Sequence, residues 1–178
     1  STLIASKMAA PDMATALDVL QLSGDLTTAA VERILKACKA KAAAINTPMN
    51  IAVCDAHLET KGFLRMDGAW IGSIDIAMKK ARTARDFNMD TRDIGPLCQP
   101  GQPLYGIEHS NQGLITFGGG VILKNAAGTV IGAIGVSGGS VEQDHDVAAA
   151  GVRCVDAAGG EALREATAVA TTAIEAAL

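Results

Sequence analysis

The feature that most constrains this chain is the stretch Val130-Ile131-Gly132-Ala133-Ile134-Gly135-Val136-Ser137-Gly138-Gly139, with Ser140 and Gln143 following it. It carries no charge and is rich in β-branched residues, so it reads as a strand over residues 129–137. Ser140 and Gln143 have the spacing of a capping box, in which each side chain satisfies the other's backbone N–H, so a helix starts at Ser140. The glycines permit close packing and a tight strand-to-helix turn.

The rest of the chain reads outward from there. Asn125–Gly128 joins this strand to an earlier one over residues 114–124. Gly118-Gly119-Gly120 interrupts that earlier strand and marks a bulge or a close backbone approach. Asn50 to Ala56 alternates like a strand, residues 57–62 turn, and Gly62 to Met66 returns as a β-hairpin. A first helix is expected from Thr28 to Ile45, with Val31, Ile34, Leu35, Cys38, Ala42 and Ile45 on one face and Asn46 and Pro48 ending it. A second is expected from Ile71 to Phe87, with Ile74, Ala77, Met78, Ala81 and Ala84 as its buried stripe. Residues 88–113, with three prolines, form an irregular stretch whose length suits a functional segment. The helix from Ser140 is expected to end near Gly159–Gly160, with a fourth, Ala-rich helix filling the remainder. The order α-β-β-α-loop-β-β-α-α argues an α+β domain: an antiparallel sheet flanked by helices. Residues 1–26 form an N-terminal extension, in which Met13 to Leu22 is a short helix available for oligomer contacts; residues 27–178 form the single domain.

Composition narrows the function. Aromatics make up only 3% of the 178 residues, so the core rests on Ala, Val, Ile and Leu, and a homo-oligomer is expected to hide apolar surface. The net charge of −4, without a basic run, excludes nucleic acid as a natural partner. No apolar stretch approaches the ~20 residues that span a bilayer, so no membrane partner is expected. Cys38, Cys54, Cys98 and Cys154 lack C-x-x-C spacing, which points away from zinc and towards buried small side chains in a reducing cytoplasm.

Several residues carry chemistry worth placing. Arg65, beside Asp67, presents a planar fork suited to a carboxylate, or to fixing its own turn by pairing with an acid. Lys80 lies beside the buried stripe of its helix and is expected either to reach an anion at a pocket rim or to snorkel. His109 sits with Tyr105, Glu108 and Asn111 just before the glycine turn, and its imidazole suits iron or acid–base work. His57, in the hairpin turn, reads as solvated. His145 lies between Asp144 and Asp146, which should favour its protonated form. Gly135-Val136-Ser137-Gly138-Gly139 matches G-x-S-x-G, but the chain lacks the alternating β-α order of a hydrolase built on it. Glu142, Asp144 and Asp146 would repel a phosphate at the same helix end.

Three groups of residues resemble a known family. They are Val53-Cys54-Asp55 with Arg65-Met66-Asp67-Gly68-Ala69; Ile76-Ala77-Met78-Lys79-Lys80-Ala81-Arg82-Thr83-Ala84; and Gly118-Gly119-Gly120 with Val130 to Gly139 and Gln143-Asp144. Together, over roughly residues 27–155, they are similar to the GlcG/HbpS family, which shares its domain with the C-terminal part of a propanediol-utilisation cobalamin protein. The chain departs from the family pattern in having no histidine on its first helix, His145 where an acid is usual, and no proline in the glycine turn. The resemblance implies a profilin-like α/β/α sandwich in dimers or larger assemblies, and relatives that bind haem or a corrinoid. The expected function is therefore binding of a small molecule, haem or a related tetrapyrrole. His109 would ligate the haem iron, and Arg65, Asp67, Lys80, Tyr105 and Gly118 to Gly120 would line the site. The alternatives are a cofactor-independent isomerase, lyase or hydrolase on a small carboxylate, with Asp67, His109 or His145 moving a proton, and a ligand-free oligomeric accessory protein.

Overall fold

A computed structural model describes residues 26–125 and 127–155. Helix α1 spans Thr28–Ala44 and starts where the Thr27 hydroxyl accepts from Ala30 N. It stops at Asn46, whose left-handed φ of 50° lets its N–H turn back to Ala43 O. Strands β1 (Asn50–Asp55) and β2 (Thr60–Arg65) form the expected hairpin. Helix α2 (Ser73–Phe87), a short helix α3 (Thr91–Ile94) and two 3-10 turns lead to β3 (Gly120–Lys124) and β4 (Val130–Ser137). Helix α4 is described over residues 141–155.

The four strands form one antiparallel sheet in the order β2-β1-β4-β3, with Ile51 opposite Val136 and Val121 opposite Ile134. The pleat sorts the side chains by size. Ile51, Val53, Ile134 and Val136 pack with Ile34 and Cys38 of α1 and Val147 and Ala148 of α4. Ala52, Cys54 and Ala133 face Ala77, Ala81 and Ala84 of α2. Small residues on that second face bring α2 down onto the sheet. A Cβ on Gly135 would run into the backbone of Ala77 and Ala81. The result is a helix–sheet–helix sandwich of mixed α+β class, as the sequence implies. The β3 edge is covered: Thr91 Oγ1 accepts from Gly120 N at 2.8 Å and Asp90 Oδ1 from Ile122 N at 3.0 Å.

Four expectations are corrected. Residues 114–119 are not strand, because Ile115 N is bound by the Thr83 hydroxyl at 3.1 Å and Gly119 turns with φ 117°. Helix α2 starts at Ser73 rather than Ile71, after a turn in which Asn50 Nδ2 donates to Trp70 O. The stretch 88–113 is not wholly irregular, since it holds α3 and both 3-10 turns. Lys80 neither sits at a rim nor snorkels; it is fully buried. The N-terminal extension with its helix at Met13 to Leu22, the helix end near Gly159–Gly160 and the fourth helix lie outside the described residues.

Candidate functional site

Two polar centres stand out, one closed and one open. In the closed centre Lys80 Nζ donates to Asp144 Oδ2 at 2.6 Å and to Val136 O at 2.9 Å, and lies 4.8 Å from the centre of the Phe117 ring. Asp144 Oδ1 accepts from Gly139 N at 2.9 Å. Burial pushes the lysine down and the aspartate up, and the attraction between them opposes both shifts. Gly119 has to be glycine here, for a Cβ would lie 2.7 Å from Lys80 Nζ. Gly118, Gly119 and Gly120 are all buried, Gly119 against this pair, Gly118 against Val141 and Arg92, and Gly120 against the Lys80 main chain and Thr91.

The open centre is a cleft of about 540 Å³ between the hairpin turn, the outer stripe of α2 and residues 111–114. From α2 come Asp75, Met78, Lys79, Arg82, Thr83 and Asp86, which the helical repeat sets on one side. From the hairpin come His57, Leu58, Glu59 and Thr60. Asp55 builds that turn: its Oδ1 accepts from His57 N at 2.8 Å and Glu59 N at 3.1 Å, and Leu58 between them takes a left-handed φ of 70°. A smaller recess of about 160 Å³ lies on the same turn, between Ala56, His57, Leu58, Arg85 and Asp86. The third wall is Asn111, Gln112, Gly113 and Leu114, held by Leu114 N to Glu108 O at 3.0 Å.

The residues singled out in the sequence fall in different places. The fork of Arg65 bonds Ala69 O through Nε at 3.2 Å and Nη2 at 3.0 Å, so it clamps its own turn, through a carbonyl and not an acid. Asp67 is exposed in that turn. Tyr105 is 64% exposed, and His109 lies exposed on a 3-10 turn; neither lines the cleft, although the segment after His109 does. His145 is half-buried on α4, and burial lowers its proton affinity, with Arg92 adding to that. The opposite direction was expected from its acidic neighbours; Asp144 is turned inward to Lys80, and the pull of Asp90, Asp93 and Asp146 is the smaller effect. No cluster of three or more His, Cys, Asp or Glu suited to a metal ion occurs among the described residues.

A family model described as "Haem degrading protein HbpS-like" matches residues 26–153. The chain belongs to the HbpS-like family. An uncharacterized 15.0 kDa protein from the dhaT-dhaS intergenic region of Citrobacter freundii is 42% identical over 131 residues, which is 72% of this chain and 91% of that one. The corrinoid adenosyltransferase PduO of Salmonella typhimurium is 39% identical over 132 residues, 74% of this chain but 37% of PduO. The crystal structure of a PduOC:heme complex superposes with a TM-score of 0.70 at 35% identity, over 73% of this chain and 94% of that one.

As an HbpS-like chain it can be tested for its fit to haem on the chemistry of its own donors. The cleft offers His57 imidazole and Met78 thioether, two of the groups that hold haem iron, with Leu58 and Leu114 as apolar contacts and two cations, Lys79 and Arg82. That set fits. Sequence reasoning missed the cleft because it followed the buried stripe of α2; the signal was the outer stripe Asp75, Lys79, Arg82 and Asp86 at helical spacing.

Proposed function

We propose that this chain is a small-molecule-binding protein whose ligand is haem or a related tetrapyrrole, bound at the cleft with His57 as the iron ligand. The observation that carries the reading is an imidazole and a thioether among the residues that line one cleft. The likeness to a chain crystallised in complex with haem supports it. Haem iron would supply a Lewis-acidic, redox-active centre there. His57 would contribute a ring nitrogen, Met78 a soft thioether from α2, and Leu58 and Leu114 would give apolar contacts. A carboxylate enzyme built on Arg65 has weaker support, since Ala69 O already occupies that fork.

The deciding experiment is a hemin titration followed by visible spectroscopy, on the wild type, His57→Ala and His109→Ala. The expected result is a saturable, stoichiometric Soret shift that His57→Ala loses and His109→Ala keeps. Loss in His109→Ala alone would move the iron to the 3-10 turn, and no shift in the wild type would end the haem reading. The homo-oligomer is part of the same proposal. Trp70 and Ile71 are 69% and 73% exposed side by side, an apolar surface that a second copy would cover. Light scattering that found only monomer would remove this part.

A further inference from the structure

Left-handed backbone converges on the cleft. Leu58 (φ 70°), Asn111 (φ 49°), Gln112 (φ 62°) and Gly113 (φ 95°) all line it, and they come from two walls far apart in sequence. Each segment is a hydrogen-bonded turn: Leu58 N donates to Asp55 O at 3.3 Å, and Gly113 N donates to Ser110 O at 2.9 Å across Asn111 and Gln112. These two turns shape the space in front of one stripe of α2.

Two cations stand on that stripe, in different states. Lys79 Nζ is held by Asp75 Oδ2 at 2.8 Å and packs beside Gly113, where a Cβ would lie 3.4 Å from the ammonium. Arg82, one turn on, makes no hydrogen bond or ion pair with any described residue. Asp86 lies four residues further along the same face without taking it. A guanidinium has a planar fork of parallel donors that matches the two oxygens of a carboxylate. Glu59, Asp75 and Asp86 share the cleft and repel further negative charge, so a doubly anionic end would be disfavoured where a single carboxylate is not.

We infer that Arg82 is the carboxylate anchor of the cleft, and that it makes the site selective for ligands carrying a free carboxylate. This rests on the proposed reading where the ligand is a tetrapyrrole, and it extends to smaller carboxylates on the same geometry. A tetrapyrrole would be held by one acid edge at Arg82, with its remaining carboxylate directed to solvent.

The test compares hemin with its dimethyl ester, which has no free carboxylate, on the wild type, Arg82→Gln, Arg82→Lys and Lys79→Gln. The wild type should bind hemin about tenfold more tightly than the ester, the scale of one charge-assisted bonding pair. Arg82→Gln should bind both equally, Arg82→Lys should restore only part of the preference, and Lys79→Gln should keep it. Equal binding by the wild type, or a preference that survives Arg82→Gln, overturns the assignment; loss in Lys79→Gln alone gives the role to Lys79 instead. Arg82 is exposed and makes no bond with any described residue, so its variants should melt as the wild type does. If neither tetrapyrrole binds, the haem reading fails by itself, and benzoate then decides the inference. Benzoate-induced amide shifts at Leu58 and Gly113 that vanish in Arg82→Gln uphold the anchor; no shifts in the wild type overturn it.

Discussion

Lys80 on α2 and Asp144 on α4, 64 residues apart, meet at 2.6 Å in the interior, with side chains 0% and 4% exposed. The pair joins the helix on one face of the sheet to the helix on the other, across the end of β4 where Val136 O takes a second lysine proton. Breaking it by Asp144→Ala leaves an uncompensated ammonium and should cost about 3–5 kcal/mol in urea unfolding. The double variant Lys80→Met/Asp144→Leu should recover most of that loss, because two apolar side chains do not carry the desolvation cost of two charges. A double variant as unstable as the single one would show that the pair acts through shape instead.

Gly135 sets how closely α2 lies on the sheet. Its Cβ would meet main-chain atoms of Ala77 and Ala81, which cannot swing aside as a side chain does. Gly135→Ala should therefore cost about 3 kcal/mol. Gly72 has a right-handed φ of −60° and nothing within 4 Å of its Cβ position, so Gly72→Ala should change stability by less than about 0.5 kcal/mol. Thermal melts of the two variants side by side check the contrast.

His145 makes stability depend on pH in a stated direction. Burial lowers its folded pKa below the ordinary 6.5, and its buried Nδ1 has no hydrogen-bond partner among the described residues. The unfolded chain thus takes up the proton first. The stability His145 permits is complete above pH 6.5 and is lost as pH falls through the lower, folded value. His145→Gln should lose less stability than the wild type between pH 7.5 and pH 5, as read from melting temperatures. Parallel pH curves for the two would count against it.

Burial pushes the Cys38 thiol up to about 12 and the Cys54 thiol to about 11. The thiolate is the reactive form, so neither should be alkylated by iodoacetamide at pH 8 until the protein unfolds. Mass spectrometry after a timed pulse would show this, and rapid native labelling of Cys38 would mean that α1 opens from the sheet.

What the sequence determined by itself was whatever a short stretch of chain decides locally. Ser140 and Gln143 form the capping box their spacing implies, with Ser140 N to Gln143 Oε1 at 2.9 Å and Gln143 N to Ser140 Oγ at 3.3 Å. Asn46 stops α1, and Ala77, Ala81 and Ala84 face the sheet, because a turn residue and a helical period act within a few residues. The family, too, was legible from motifs in order. The tertiary structure alone decided the rest. The period of α2 left Lys80 beside its stripe, and only a carboxylate arriving from α4 makes its burial tolerable. Residues 114–119 pattern as strand, yet a hydroxyl on α2 holds Ile115 out of the ladder. His57 and His109 sit in comparable polar turns, and folding brings only His57 to the cleft, because the outer face of α2 lies beside the hairpin. A site made by three segments distant in sequence shows a local period on its helical wall alone; the cleft exists only once the sheet has fixed the spacing of all three.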